Sequence, residues 1–436
     1  MQQTQTLESL QLRPEELFLL RCCRHVACGT LNDTMAVPED PCLDWSYIDR
    51  MTLQHGIAGF MYAALVRIKD TAYAPPEILD SLKRRVIQTS LRNHHLLGEF
   101  DSLVTKCTRE QVPILPLKGI AFLKTIYAHD TTLRTLGDVD ILVEGQDIMR
   151  IEKILTERGY QRKSTSAQSA ARAYHFKYRR RLARFSIVLE IHRDIDYLDS
   201  PSKIDISDCW KRSRAVTGSP GTYYEFSLED QIIYNCFHIL HHISKGPTLT
   251  LPLKNFCDIA VLLRKNSEKI NWGCIIHRSH DYKVLRSVAL ALVLVHKLFD
   301  VTDIPPVVFE KLQEERFQED FASHIIKEYI FTSQQPAQKN IPFWIVELAA
   351  ASTLWKKFRK AKDIPKLFIS LYRARYYAQP HQSALRTLAY VIWYYTLKAA
   401  KFFLPWVCAP QKAVQVQSHM LRVNRKTQTL LDWLQN

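Results

Sequence analysis

Two hydrophobic spacings alternate along the chain. Over residues 7–95 apolar positions recur every three or four residues, as in PEELFLLRCC and SYIDRMTLQHGIAGFMYAALVRI, the spacing of amphipathic helices. PEILDSLKRRVIQTSLRNHHLLGEFDSLVTKC predicts one long helix, entered through Pro75–Pro76 and running to about Cys107. The period then shortens. VPILPL (112–117) and VDILV (139–143) are strand-type runs, and between them Lys118–Gly119 leads into a helical stretch, IAFLKTIYA. QDIMRIEKILTERGY predicts an amphipathic helix that stops at Gly159. AYHFKYR and FSIVLEIHRDI, joined by a basic turn, predict a β-hairpin. From Ser227, placed as an N-cap, helical spacing returns through SLEDQIIYNCFHILHHIS, LKNFCDIAVLLRKN and WGCIIHRSHDYKVLRSVALALVLVHKLFD.

These patterns predict a helix-rich α+β protein in which a small α/β core with a mixed sheet is flanked by helical segments. Only 12 glycines in 436 residues agree with that, because glycine punctuates turn-rich β folds. Four segments are expected: an N-terminal helical region (1–108), the α/β core (109–215), a helical region packing on it (216–335) and a basic, aromatic C-terminal region (336–436).

Hydrophobic residues at 47% and charged residues at 24% are ordinary for a globular chain. The charge changes the picture more. The chain carries +15, and residues 341–436 hold 15 Lys and Arg against three acids, so the remainder is nearly neutral. WKKFRKAK and LYRARYYA mix cations with aromatics, and TLAYVIWYYTLKAAKFFLPWVCAP is broken by Lys398, Lys401 and Pro405. This end suits an anionic membrane surface, with nucleic acid the less favoured partner and packing on the body the plain alternative. The ten cysteines show no CxxC pair, and MQQTQTLESLQLRPEE lacks the features of a signal peptide. A cytoplasmic protein is expected, peripheral at the inner face of the membrane.

Candidate chemistry concentrates in TLGDVDILVEG. On a strand Asp138 and Asp140 point to one face, where two carboxylates repel unless a cation lies between them. Mg²⁺ is the economical cation, and two ions are the usual device for displacement at phosphorus. Glu190 in IVLEIHR is the candidate third carboxylate, with His192 two residues on and on the same face. Lys118–Gly119 and Arg134 are placed to meet phosphates. The plain readings are a surface turn for the DxD and a structural ion pair, with Arg134 or another Arg, for Glu190. His192 is read as orienting Glu190 or a phosphate rather than binding metal. His175 is a further candidate to face the site. His238, His241 and His242 lack a third zinc ligand and are assigned to packing or a phosphate contact. The basic run FKYRRRLAR (176–184) reads as a solvated turn, or, leaning over the cleft, as a contact for an anionic acceptor.

LPLKG, LRTLGDVDILV and LEIHR together resemble the uncharacterised nucleotidyltransferase family of bacteria, a branch of the DNA polymerase beta-like nucleotidyltransferase superfamily. The resemblance runs from about Trp45 to about Asp300. Lys118–Gly119 stands where the wider superfamily has Gly-Ser, and Arg193 where the narrower family has Trp. The resemblance implies that Asp138, Asp140 and Glu190 are the catalytic metal ligands, holding two Mg²⁺ (or Mn²⁺). It implies that Lys118, Gly119, Arg134 and His192 serve the nucleotide phosphates. The implied reaction moves a nucleoside monophosphate from an NTP to a hydroxyl, phosphate or amine acceptor. The alternative is a catalytically inert nucleotide- or partner-binding protein tethered to an anionic surface.

Overall fold

A computed structural model describes residues 12–29, 43–68, 73–163, 174–182, 185–196, 202–241, 243, 250–301, 304–314, 320–331, 423 and 426–434. The chain divides into two units. One comprises 1–163, 173–242 and 250–331; the other comprises 164–172, 243–249 and 332–436. In the second, Ile243, Val423 and a helix over 426–434 are described. The basic aromatic region expected at 341–436 otherwise lies outside the described residues, including WKKFRKAK, LYRARYYA and the apolar run 387–410.

The first unit opens with α1 (Pro14–Cys28), α2 (Trp45–His55), α3 (Ala58–Leu65) and α4 (Pro76–Arg109). Asp44 caps α2 by accepting the Tyr47 amide at 2.9 Å, and Gly56 closes it in the left-handed region at φ +65°. α4 is the long helix the apolar spacing predicts, running two residues past Cys107. β1 (Leu115–Leu117) passes directly into α5 (Lys118–Lys124); then come β2 (Val139–Leu142), α6 (Ile148–Glu157), β3 (Gln161–Arg162), β4 (His175–Arg181) and β5 (Ser186–His192). α6 ends where Gly159 adopts φ +78°, as its position in the sequence predicts.

The strands form one mixed sheet in the order β1-β2-β5-β4-β3. β2 and β5 run parallel, and the other neighbours are antiparallel. β4 and β5 are the expected hairpin. β3 has no counterpart in the predicted elements. Nor has the separate hairpin of β6 (Arg214–Gly218) and β7 (Gly221–Glu225), which follows α7 (Ile206–Lys211). Helices α8 (Leu228–His241), α9 (Leu253–Asn266), α10 (Trp272–Asp281) and α11 (Leu285–Phe299) follow, then shorter helices through Ile330. Ser227 caps α8, its Oγ accepting the Asp230 amide at 3.2 Å.

The sheet has two different faces. Val139, Ile141, Leu189, Ile191 and Tyr178 alternate onto one face and are buried. Each such side chain contributes on the order of 1.5–3 kcal/mol by leaving water. α4 and α6 lie against this face, as the ion pairs Arg180–Glu99 and Arg162–Glu152 show. The other face carries Asp140, Glu190, His192, His175 and Lys177. A second core lies among α1, α3, α9 and α11, where Leu19, Phe60, Phe256 and Leu290 are fully buried. The architecture is helix-rich α+β with a mixed five-stranded sheet. Among the described residues no helix is long and apolar enough to cross a membrane.

Candidate active site

The register of the sheet builds the site. Asp140 on β2 pairs with Glu190 on β5, which pairs with Lys177 on β4; one row over, Leu142, His192 and His175 align. Because β2 and β5 are parallel neighbours, two carboxylates from segments fifty residues apart stand side by side. Both are almost fully buried, 5% exposed for Asp140 and 7% for Glu190. Such burial costs several kcal/mol per unpaired charge, so each acid needs countercharge.

That countercharge comes from both flanks. The Lys118 ammonium lies 2.8 Å from Asp140 Oδ1, and His192 Nε2 donates to the same oxygen at 2.9 Å. Lys177 pairs with Glu190. His175 and His192 Nε2 stand 3.7 and 3.8 Å from Glu190 Oε2. Burial would raise the Asp140 pKa, but Lys118 and His192 hold the carboxyl well below its ordinary range. Burial would lower the Lys118 pKa, but Asp140 overrides it and keeps the ammonium above the usual lysine value. Burial and the neighbouring His192 push His175 down to about 4, which keeps its ring neutral near pH 7. The two imidazoles stack at 5.1 Å, and the buried Nδ1 of each lacks a hydrogen-bond partner among the described residues.

Asp138 precedes β2 rather than lying on it, so strict alternation along the strand does not place it. Burial and the charges of Asp140 and Glu190 nevertheless push its carboxyl up to about 6. Asp140, Glu190 and His192 each offer a ligand atom within 4.8 Å of the others, the described group suited to a cation. Asp138 lies outside that group but close enough to feel the charges of both acids. Crowded acids and an imidazole match the donor set of a divalent cation.

Lys118 adopts φ +52°, unusual for a residue with a side chain, at the junction where β1 becomes α5. The turn aims its ammonium at Asp140. At Gly119 the chain passes close to the 134–136 loop: a Cβ there would lie 2.5 Å from Leu136 Cδ1, which would have to shift. Beside Lys118 opens a small pocket of about 30 Å³, lined in part by Ala121, Phe226, Gln231, Tyr234 and Asn235.

Arg134 lies on the far side of the Lys118–Gly119 turn, where a Cβ on Gly119 would stand 3.5 Å from its Nη2. It is 6% exposed, and its Nε donates to both carboxylate oxygens of Asp258 on α9, at 3.0 and 2.9 Å. The guanidinium thus closes an ion pair with Asp258 next to that turn. The loop it belongs to is clamped from two sides. From α4, Asn93 Nδ2 donates to the carbonyls of Thr131 and Arg134 at 2.7 and 2.8 Å, and Arg92 donates to those of Leu136 and Gly137 at 2.8 and 2.6 Å. From α9, Lys254 Nζ reaches the Thr135 carbonyl at 3.4 Å. The sequence reading gave Asn93, Arg92, Lys254 and Asp258 no role. The signal available was Asp258 in LKNFCDIAVLL, an acid inside an apolar helix, which demands a buried cation.

His238 packs beside Tyr234, and His241 faces Asp196 at 3.6 Å. Neither belongs to a cation-binding group among the described residues, and His242 lies outside them.

The model of the uncharacterised nucleotidyltransferase family matches residues 41–300, and the chain belongs to that family. No curated protein and no solved structure matches it.

Proposed function

We propose that this member of the uncharacterised nucleotidyltransferase family transfers a nucleoside monophosphate from an NTP to a hydroxyl, phosphate or amine of an acceptor. The row Asp140–Glu190, flanked by Asp138 and Lys118, carries the reading: buried oxygen donors of one sign, next to a cation at a strand-to-helix turn. Hard carboxylate donors suit Mg²⁺, with Mn²⁺ as its substitute, and Asp138, Asp140 and Glu190 would hold the two ions. Bound there, the ions would supply charge neutralisation at the phosphates and easier deprotonation of the acceptor.

The chain's own groups do the rest. Lys118 is the phosphate-binding cation, released from Asp140 when the site fills, and Gly119 lets Leu136 seat the carboxylate loop beside it. His192 orients Asp140, and the buried sheet keeps both acids in register, so catalysis is positioning and charge placement. Arg134, whose Nη2 flanks Gly119, serves the nucleotide phosphates while Asp258 holds it in place. The basic region 341–436 attaches the protein to an anionic membrane surface on the cytoplasmic side.

One observation favours a second reading. Lys118 and Lys177 already neutralise Asp140 and Glu190 without any ion, which is how a site that holds a nucleotide without turnover would be built. Incubation of the full chain with each α-labelled NTP, Mg²⁺ and lysate separates the two. Transfer predicts a labelled product and released pyrophosphate, with both falling at least ~100-fold in Asp140→Asn. NTP retention with no pyrophosphate release supports the inert reading.

A further inference from the structure

The basic run of β4 sorts its cations by face. Arg180 points to the covered face and pairs with Glu99; Arg162 on β3 does the same with Glu152. Lys177, Arg179 and Arg181 alternate with them onto the face that bears Glu190. All three are exposed, as is Lys163, whose amide extends the β3–β4 pairing to Lys177. Among the described residues, Arg179, Arg181 and Lys163 make no ion pair. The covered face therefore has an acid for each of those two arginines, and the site face leaves its outer cations open.

These cations form a line. Alternate residues on a strand stand about 7 Å apart. The line starts at Lys177, against Glu190, and leads along β4 away from the carboxylates. Its outer end is the β4–β5 turn, where Leu182 and Phe185 alternate onto the covered face and Phe185 packs on His95 of α4 at 4.9 Å. A small phosphorylated molecule needs a closed pocket. An open row of cations that leads to the carboxylates fits a chain with repeating phosphates, whose end reaches the site.

We propose that Lys177, Arg179 and Arg181 bind the backbone of a single-stranded nucleic acid whose terminal hydroxyl is the acceptor. The chemistry takes over the transferase reading above. The terminal hydroxyl oxygen forms a bond to the α-phosphorus of the NTP. The bond from that phosphorus to the β-phosphate oxygen breaks and pyrophosphate leaves. The hydroxyl proton passes through the carboxylates to water. The strand grows by one nucleotide.

Binding is measured on the full chain without NTP, so it is independent of turnover. The probe is a 5′-fluorescent 12-nucleotide single strand, as RNA and as DNA, read by anisotropy across a salt series. Arg179→Gln/Arg181→Gln should weaken binding at least tenfold at low salt. It should also flatten the dependence of log affinity on log salt by about 0.7 for each lost phosphate contact. Arg162→Gln, on the covered face, should leave both unchanged, and Asp140→Asn should still bind. An equal slope in the double variant overturns the proposal, even if the strand binds through residues 341–436. Displacement by tripolyphosphate as readily as by unlabelled strand also overturns it, since that marks a site for a small anion. Binding that follows the prediction while Asp140→Asn and wild type both fail to transfer would uphold the surface and sink the transferase reading.

Discussion

Two buried ionic groups lie close together in this unit and behave differently. Arg134 and Asp258 form a closed pair: one cation, one anion, the Nε–H shared between both carboxylate oxygens, and both side chains nearly inaccessible. The carboxylate row closes only in part. Lys118 and Lys177 pair with Asp140 and Glu190, but Asp138, crowded by both acids, is pushed up to about 6, and two imidazole nitrogens are buried without partners among the described residues. A closed pair is a part of the scaffold. A group whose charges and lone pairs are left over is arranged for something that arrives later.

The comparison breaks most visibly at Arg134. Arg134→Met leaves Asp258 buried and uncompensated, so urea unfolding should show a loss of about 3–5 kcal/mol. Asp138→Asn should do the reverse, removing a crowding charge: the melting temperature holds or rises, while label transfer falls at least ~100-fold. If both variants lose stability alike, the two groups are not different in kind. Asn93→Ala takes the donor from two loop carbonyls and should cost about 2 kcal/mol, together with part of the transfer activity. A variant that loses stability and keeps full activity would show that the clamp does not set the site.

The smallest effect sharpens the scaffold side. Burial, with Arg134 beside it, pushes Lys254 down to about 8, against about 10.4 for an unfolded lysine. Between those values the unfolded chain binds more protons, so stability should rise as pH climbs from 8 towards 10. Lys254→Met should lose that rise. Unfolding curves at pH 7, 8.5 and 10 for both proteins check it, and parallel pH profiles would refute it.

The parts of the site that sit on regular elements were legible in the chain. VDILV and IVLEIHR have the strand period, and an acid inside each apolar run marks the facing side. Lys118–Gly119 was legible as a strand-to-helix junction. The pairing of Arg134 with Asp258 was not, because the two are 124 residues apart and only the tertiary fold joins them. Asp138 was placed by alternation, yet β2 begins one residue later, and the loop clamp sets its position instead. The β6–β7 hairpin escaped because RAVTGSPGTYYE has little alternation; its register is fixed from outside, where Thr108 on α4 accepts the Thr222 amide at 3.0 Å. The basic run was seen as one patch. Read at period two, with Lys177 facing Glu190, it already separates into a paired set and an open one.

The central claim is that the carboxylate row takes a divalent cation together with a nucleotide. A non-hydrolysable NTP analogue added with Mn²⁺ tests it directly by the melting temperature of the full chain. The account predicts a rise that needs both additions in the wild-type protein and is absent in Asp140→Asn. An equal rise in Asp140→Asn, or a rise with analogue alone that Mn²⁺ leaves unchanged, would contradict it.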